Sequence, residues 1–480
     1  MLPEWTQRYS RKYLAKDMVA GATLAAVAIP EVLGYTSISQ TPLATGLYTI
    51  IFPTMVFALF CSSRMLVVGA DSATAALMAA GLLGLTSANL TPYSKEWVAY
   101  TSMVALVTAV LLLIARVLNL GFLGDFLSAS VLIGFLTGIG IQVFTGQIPD
   151  LLGIPKATGN WFEQQRAWIT SLGDIQWPAA AFAGATILII VGFKKLVPRV
   201  PGALIAVVVL TGISAATDAA SHGVAVVGAV PAGFPPVGLP QGFSLSEAFS
   251  VLGIAVSCLV LIIAQSAATG RSFAMKHGDK VDINRDIVGL SGANLAAGFT
   301  GTFVVNGSPT KTQILEEQRG RSQVANLTMS IIALVFTLFF TSSLANMPKA
   351  VLAGIVFLIG VGLIDALGLR AIYRKRQSEY WIALMTCVVV FAIGVEQGII
   401  LAIVVSLLDI IRRQYHPASF VVSETADGHP VYSEAEAGAQ SEPVLQQSLI
   451  TYGYPKHFDP AMTFGTLEEA IAGFRTSAPS

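Results

Sequence analysis

"RMLVVGADSATAAL", Arg64 to Leu77, and "GTFVVNGSPTKTQI", Gly301 to Ile314, are the two stretches whose reading decides the fold. Each runs from a valine pair through glycine into a short run able to form helix, Asp71 to Leu85 in the first and Ser308 to Glu316 in the second. At about 1.5 Å per residue, such helices cover only part of a hydrocarbon layer about 30 Å thick. The rest of each crossing must be extended chain. Laying Val67-Val68 over Val304-Val305 gives an offset of 237 residues, which also carries the first apolar segment, near Asp17, onto the eighth, near Ile254. Two halves of seven segments follow, and an odd number of crossings forces them into opposite orientations. Matched short helices in such an inverted repeat point to a binding site near the midplane.

The composition agrees with a membrane chain. Of 480 residues, 54% are hydrophobic and 12% charged, and the mean hydropathy is +0.70. Apolar runs of spanning length recur from Gly21 to Ile411, so helices and not a β-barrel carry the membrane part. Lys+Arg and Asp+Glu are each 28, which leaves no charge excess to attract nucleic acid. Cys61, Cys258 and Cys387 lie in or beside apolar segments without metal-ligand spacing, and the histidines fall in loops or the tail. No nucleotide-binding glycine loop or nucleophile elbow is present, so the expectation is a non-enzyme without cofactor or metal.

Apolar length and Gly, Pro and charge breaks place fourteen segments: 17–35, 43–61, 71–85, 97–116, 122–147, 178–196, 202–217, 247–270, 285–303, 308–316, 324–345, 349–368, 378–395 and 397–411. The fold class expected is therefore an all-α membrane protein with fourteen transmembrane segments in a 7+7 inverted repeat. Lys and Arg test the count, because they collect on the cytoplasmic side. With the amino terminus inside, the inner loops hold clusters such as Lys194, Lys195 and Arg199, or Arg370, Arg374, Lys375 and Arg376. The outer loops hold only Lys95, Lys156, Arg166 and Lys349. A miscounted span would reverse every later loop, so both short segments count as crossings. Both termini are then cytoplasmic in the cell inner (plasma) membrane. Residues 1–16, basic and aromatic with no small-residue cleavage site after the first apolar run, read as a cytoplasmic leader.

The polar run at Ser308 to Thr312 reads as a helix start, with Ser308 as N-cap and Pro309 as first helical residue. Placed at the bilayer centre, that end is an anion site: its partial positive charge, the Ser308, Thr310 and Thr312 hydroxyls and the Lys311 ammonium replace lost hydration. The facing repeat offers Gly69, Ala70, Ser72 and Thr74, small residues that let a ligand approach the backbone. The plainer reading is a capped helix whose lysine snorkels or pairs with Asp71. Glu31 follows Pro30, where the first helix is expected to break, and either carries protons with the substrate or closes a hydrogen-bond network. Asp71, the second proton-coupling candidate, reads more simply as a cap. Tyr35 and the Gln265-Ser266 pair, at the corresponding break in the eighth segment, are candidate polar contacts.

Several long motifs in order, among them "DMVAGATLAAVAIPEVLGY" (Asp17 to Tyr35), "TGLYTIIFP" (Thr45 to Pro53), "SASVLIGFLTGIGIQVFTGQIPDLLG" (Ser128 to Gly153) and "RSFAMKHGDKVDINRDIVGLSGANLAAGFTGTF" (Arg271 to Phe303), resemble the sulfate permease (SulP) family, also called solute carrier family 26. The resemblance covers roughly residues 10 to 415. It implies a transport domain over 17–415, with segments 1–4 and 8–11 as a substrate-carrying core and segments 5–7 and 12–14 as a gate. It further implies a homodimer that moves anions by elevator-like displacement of core against gate, with substrate between the starts of helices 3 and 10. Lys311 stands where many relatives have Arg, which keeps the charge and loses bidentate geometry. Gln265 and Ser266 stand where many have Asp or Glu linked to cation coupling, which leaves Glu31 as the better proton-coupling candidate. Asp71 replaces a residue uncharged in many members.

After Arg413, "HPASFVVSETADGHPVYSEAEAGAQSEP" reads as a polar, acidic linker, "QQSLITYGY" as one strand and "TLEEAIAGF" as one helix. The family resemblance implies a cytoplasmic STAS domain after the membrane part, so residues 416–480 are expected to be a linker and a short α/β STAS-like remnant. The function expected is secondary transport of a small inorganic oxyanion such as sulfate or bicarbonate. Proton symport of dicarboxylates, a passive anion channel and a transport-dead scaffold are the alternatives.

Overall fold

Inside a bilayer every backbone N–H and C=O must find a partner within the protein, which favours helices and allows extended chain only where protein groups bond it. The computed structural model follows that rule. It describes residues 9, 11–85, 90–119, 129–157, 161–197, 200–242, 244–279, 281–394, 397, 398, 401, 404, 405, 420–424 and 430–434. The chain forms two units, Met1–Ser406 and Leu407–Ser480.

In the first unit, α1 (Leu14–Ser39) is followed by the short α2 (Leu43–Tyr48) and α3 (Phe52–Phe60), which break the second apolar segment in two. Strand β1 (Val68–Gly69) leads into α4 (Ser72–Gly84), and α5 (Lys95–Val117) closes this group. Next come α6 (Ala129–Leu152), α7 (Trp161–Thr170), α8 (Trp177–Leu196), α9 (Gly202–Ala216), the single turn-and-a-half α10 (Leu245–Ser250), α11 (Leu252–His277) and α12 (Ile283–Phe299). Strand β2 (Asn306–Gly307) leads into α13 (Pro309–Glu317), followed by α14 (Val324–Phe339), α15 (Lys349–Leu363), α16 (Ala366–Lys375) and α17 (Gln377–Ala392). Seven helical stretches among the described residues are long and apolar enough to cross a membrane.

The expected break at Pro30 does not occur: α1 is continuous with Pro30 inside it, and α11 likewise runs unbroken past Gln265. A proline costs a helix one hydrogen bond and a local clash, and in membrane helices packed neighbours tolerate that defect. Packing separates two groups. α12 lies against α5 and α3, and α14 lies against α1; α6 lies against α15 and α17, and α8 against α9 and α15. α1 touches both groups, through α14 on one side and α15 and α9 on the other.

The extended chain before each half-length helix is bonded at every step that matters. β1 and β2 pair antiparallel, Val68 with Gly307 and Gly69 with Asn306. Ser308 N–H donates to the Val67 carbonyl at 2.8 Å, and Val67 N–H donates to Thr312 Oγ1 at 3.1 Å. The Asn294 amide both donates to and accepts from the Val305 backbone at 3.0 Å, acting as a strand partner made of one side chain. Gln323 and Asn326 donate to the Leu66 carbonyl at 3.0 Å, and Thr54 to that of Val68 at 2.6 Å.

The second unit holds a hairpin of β3 (Phe420–Glu424) and β4 (Pro430–Glu434), Phe420 opposite Glu434 and Glu424 opposite Pro430. This corrects the linker reading of that stretch: "FVVSE" and "PVYSE" carry β-branched and aromatic residues around an Asp-Gly turn signal at Asp427-Gly428. The strand and helix expected at "QQSLITYGY" and "TLEEAIAGF" lie outside the described residues.

Candidate functional site

The β1–β2 pairing places the starts of α4 and α13 side by side, each capped by its own side chain. Asp71 caps α4, accepting from Ala73 N–H at 3.1 Å, and Ser308 caps α13, accepting from Lys311 N–H at 3.3 Å. The two caps are 237 residues apart, the offset read from the valine pairs.

Ser308 and Pro309 set the register that sends the Lys311 side chain across to the first repeat. Its ammonium donates to the Ala70 carbonyl at 2.9 Å and lies 3.0 Å from a Glu31 carboxylate oxygen, with Lys311 wholly buried and the Glu31 side chain 12% exposed. One helical turn on, Tyr35 donates its hydroxyl to the other Glu31 oxygen at 2.6 Å, and its ring lies 4.8 Å from the ammonium. The lysine is therefore held on one side by an anion and on the other by a π face and a carbonyl.

A second chain of bonds ties α11 to both helix starts. Gln265 donates to the free Asp71 oxygen at 3.3 Å and accepts from the Asn306 amide at 3.0 Å. Asn306 in turn accepts from the Ser266 hydroxyl at 2.8 Å, and Gly307 N–H donates to Ser266 Oγ at 3.1 Å. With Glu31 and Asp71 both ionised, one ammonium faces two carboxylates.

The sequence-named residues fall into three sets. Lys311, Glu31, Tyr35 and Ala70 converge on one point, and Asp71, Gln265 and Ser308 form the adjoining layer with the buried Ser72. Thr312 is buried, but its hydroxyl is spent on the Ser308 carbonyl at 2.6 Å and on Val67 N–H. Thr310, with Pro309, is exposed, so the tip of α13 is open on that side and Thr310 stands apart from the cluster. Two expectations need correction. Lys311 pairs with Glu31 and not with Asp71, because Asp71 is turned to its own helix start and to Gln265. Gly69 does not leave room for a ligand: a Cβ there would meet Ile50 Cγ2 at 2.9 Å, so its smallness serves packing. Asn306 was recognisable only as one polar residue in a polar run, and its place at the centre of the second network comes from the β1–β2 register.

Half-length helices that start inside a polar layer, approached through paired extended chain within a helical membrane bundle, are the arrangement of a membrane transport protein. A profile of the sulfate permease family matches residues 14–386, and the chain belongs to that family, whose members are transporters and not enzymes. A probable sulfate transporter of Mycobacterium tuberculosis is 30% identical over 416 residues, covering 87% of this chain and 73% of that protein. Human solute carrier family 26 member 6 is 25% identical, over 88% of this chain and 58% of that protein. Among solved structures, the murine solute carrier 26 family member A9 anion transporter in the inward-facing state superposes with a TM-score of 0.79 at 23% identity, over 90% of this chain and 74% of that one. The transmembrane domain of the cyanobacterial bicarbonate transporter BicA superposes with a TM-score of 0.69 at 22% identity, over 83% of this chain and 98% of that one. These two likenesses bear on the fold.

Proposed function

We propose that this protein is a secondary active transporter of a small inorganic oxyanion of the sulfate or bicarbonate type, held between the starts of α4 and α13. The observation that carries the reading is the wholly buried Lys311 ammonium set between two capped half-length helices, with the α13 tip exposed at Pro309 and Thr310. Helix-start N–H groups and an ammonium together supply the hydrogen bonds and charge that an oxyanion loses with its water. The names of the mycobacterial and cyanobacterial relatives, a sulfate and a bicarbonate transporter, support the same ligand chemistry.

In this reading the chain crosses the plasma membrane fourteen times as a 7+7 inverted repeat, with both termini cytoplasmic, and works as a homodimer. The group around α1, α3–α5 and α11–α14 carries the anion, and the group around α6, α8, α9, α15 and α17 is the gate against which it moves. The separate packing of the two groups supports that division. Residues after 415 form a cytoplasmic STAS-like remnant.

A proton-coupled dicarboxylate symporter is the second reading, favoured by the Glu31–Lys311 pair. A proton on Glu31 releases the ammonium to a carboxylate ligand, so that proton and anion bind together. Sulfate and dicarboxylate flux into proteoliposomes separates the readings. Saturable uptake with counterflow of sulfate supports the first, and pH-driven accumulation of dicarboxylate alone supports the second. Flux that follows voltage without exchange marks a passive anion channel and overturns both.

A further inference from the structure

Of the four cations on the outer side, Lys156 and Lys349 line a single cavity of about 760 Å³. It lies where the end of α1 and the turn into α2 face the end of α6 and the start of α15. Lys156 is held 2.6 Å from Asp150, which lines the same cavity. Lys349 is exposed and makes no ion pair among the described residues, so this mouth carries one uncompensated positive charge. Its depth is informative. The lining includes Thr36 and Ser37, the residues directly after Tyr35, whose ring covers the Lys311 ammonium and which is itself 2% exposed. Thr36 and Ser37 thus share a helical turn of α1 with the residue beside the Lys311 ammonium, their side chains rotated about 100° per residue around the axis.

We infer that this cavity is a second anion station, an outer recruitment site where Lys349 collects small oxyanions before Tyr35 yields access to Lys311. The inference rests on the anion reading and orientation above. Asp150 tunes the station: by pairing with Lys156 it removes half of the available positive charge. In a wet mouth a unit charge changes the local anion concentration only a few-fold, and salt at about 0.15 M screens it beyond about 8 Å. That weakness suits a site that must release what it collects.

The test reads the cavity's potential without requiring transport. Cys61, Cys258 and Cys387 are buried and in no disulfide, so Ser37→Cys gives impermeant thiol reagents one accessible target. In proteoliposomes, an anionic methanethiosulfonate applied from the outer face is expected to react about threefold faster than a neutral one, relative to free cysteine. Lys349→Gln should abolish the excess, Asp150→Asn should raise it, and both effects should shrink in 1 M salt. A ratio no greater than that of free cysteine, a ratio indifferent to both substitutions, labelling only from the opposite face, or no labelling from either overturns the inference. Sulfate uptake by Lys311→Ala bears on the inner site alone, so the two readings can fail separately.

Discussion

Lys311 and Glu31 form an ion pair 3.0 Å long between α13 and α1, with the lysine wholly buried. The pair joins the two sequence halves at the level of both helix starts. Taking two charges out of water is costly, and Tyr35, which donates to one Glu31 oxygen, and the Ala70 carbonyl, which accepts from Lys311, offset part of that cost. Removing one member leaves the other charged and unpaired.

A double-mutant cycle on thermal unfolding in detergent measures that coupling. Lys311→Met and Glu31→Gln should each destabilise the protein by about 3–5 kcal/mol, the cost of breaking a buried pair. The double variant should recover part of the loss, with a coupling of about 1–3 kcal/mol. Strictly additive losses would mean that the pair is not energetically linked.

Transport by Glu31→Gln tests whether the same pair couples protons to anion movement. An amide cannot take up the proton, yet it leaves the Lys311 ammonium available to an anion. Accumulation of sulfate driven by an imposed pH gradient should vanish, while sulfate counterflow at fixed pH persists. Full pH-driven accumulation by the variant would remove Glu31 from the coupling step.

The sequence announces the helices and the two half-length crossings, because apolar run length and an Asp or a Ser-Pro cap are local signals. It also marks Lys311, since an ammonium inside an apolar segment must snorkel, find a partner or meet a ligand. Pairings are another matter. Whether Lys311 meets Asp71 or Glu31 depends on how α1 crosses α13, and no local pattern encodes that geometry. Pro30 misleads for the same reason: proline predicts a broken helix in isolation, and the helices packed along the continuous α1 lie far along the chain. Gly69 reads as an opening for a ligand until Ile50, from a different turn of chain, is seen to fill the space.

The second network is tight enough to be tested by one methyl group. A Cβ on Gly307 would meet Ser266 Oγ at 2.7 Å, the same oxygen that accepts from Gly307 N–H. Gly307→Ala is expected to cost about 1–3 kcal/mol by overpacking and to shift the Asn306–Gln265 bonds with it. In a Ser266→Ala background the 2.7 Å clash is gone and the added methyl meets the remaining Cβ and Leu66 Cδ1, each at 3.1 Å, so the further loss on Gly307→Ala should be smaller. Equal losses in both backgrounds, read by thermal unfolding, would place the strain elsewhere.

Asp286 on α12 holds the chain that leads into β1. It accepts from Ser62 N–H at 2.7 Å and Ser63 N–H at 2.9 Å through one oxygen, and from the Ser63 hydroxyl through the other. Asp17 holds the chain after α13 in the same manner, accepting from Arg321 N–H at 2.7 Å and the Ser322 hydroxyl at 2.6 Å. Each carboxylate thus anchors one side of the β1–β2 pair, apart from the Lys311–Glu31 cluster. An amide at position 286 keeps one acceptor and loses the charge, so Asp286→Asn should lose about 1.5–3 kcal/mol of stability. Because β1 sets where α4 begins, its apparent KM for sulfate should rise even at temperatures where the variant is fully folded. Asp17→Asn should act in parallel through α13, and the two losses should add, since their partners do not overlap. A rise in KM without any loss of stability would instead point to direct contact between Asp286 and the anion, and would require the site to be redrawn toward α12.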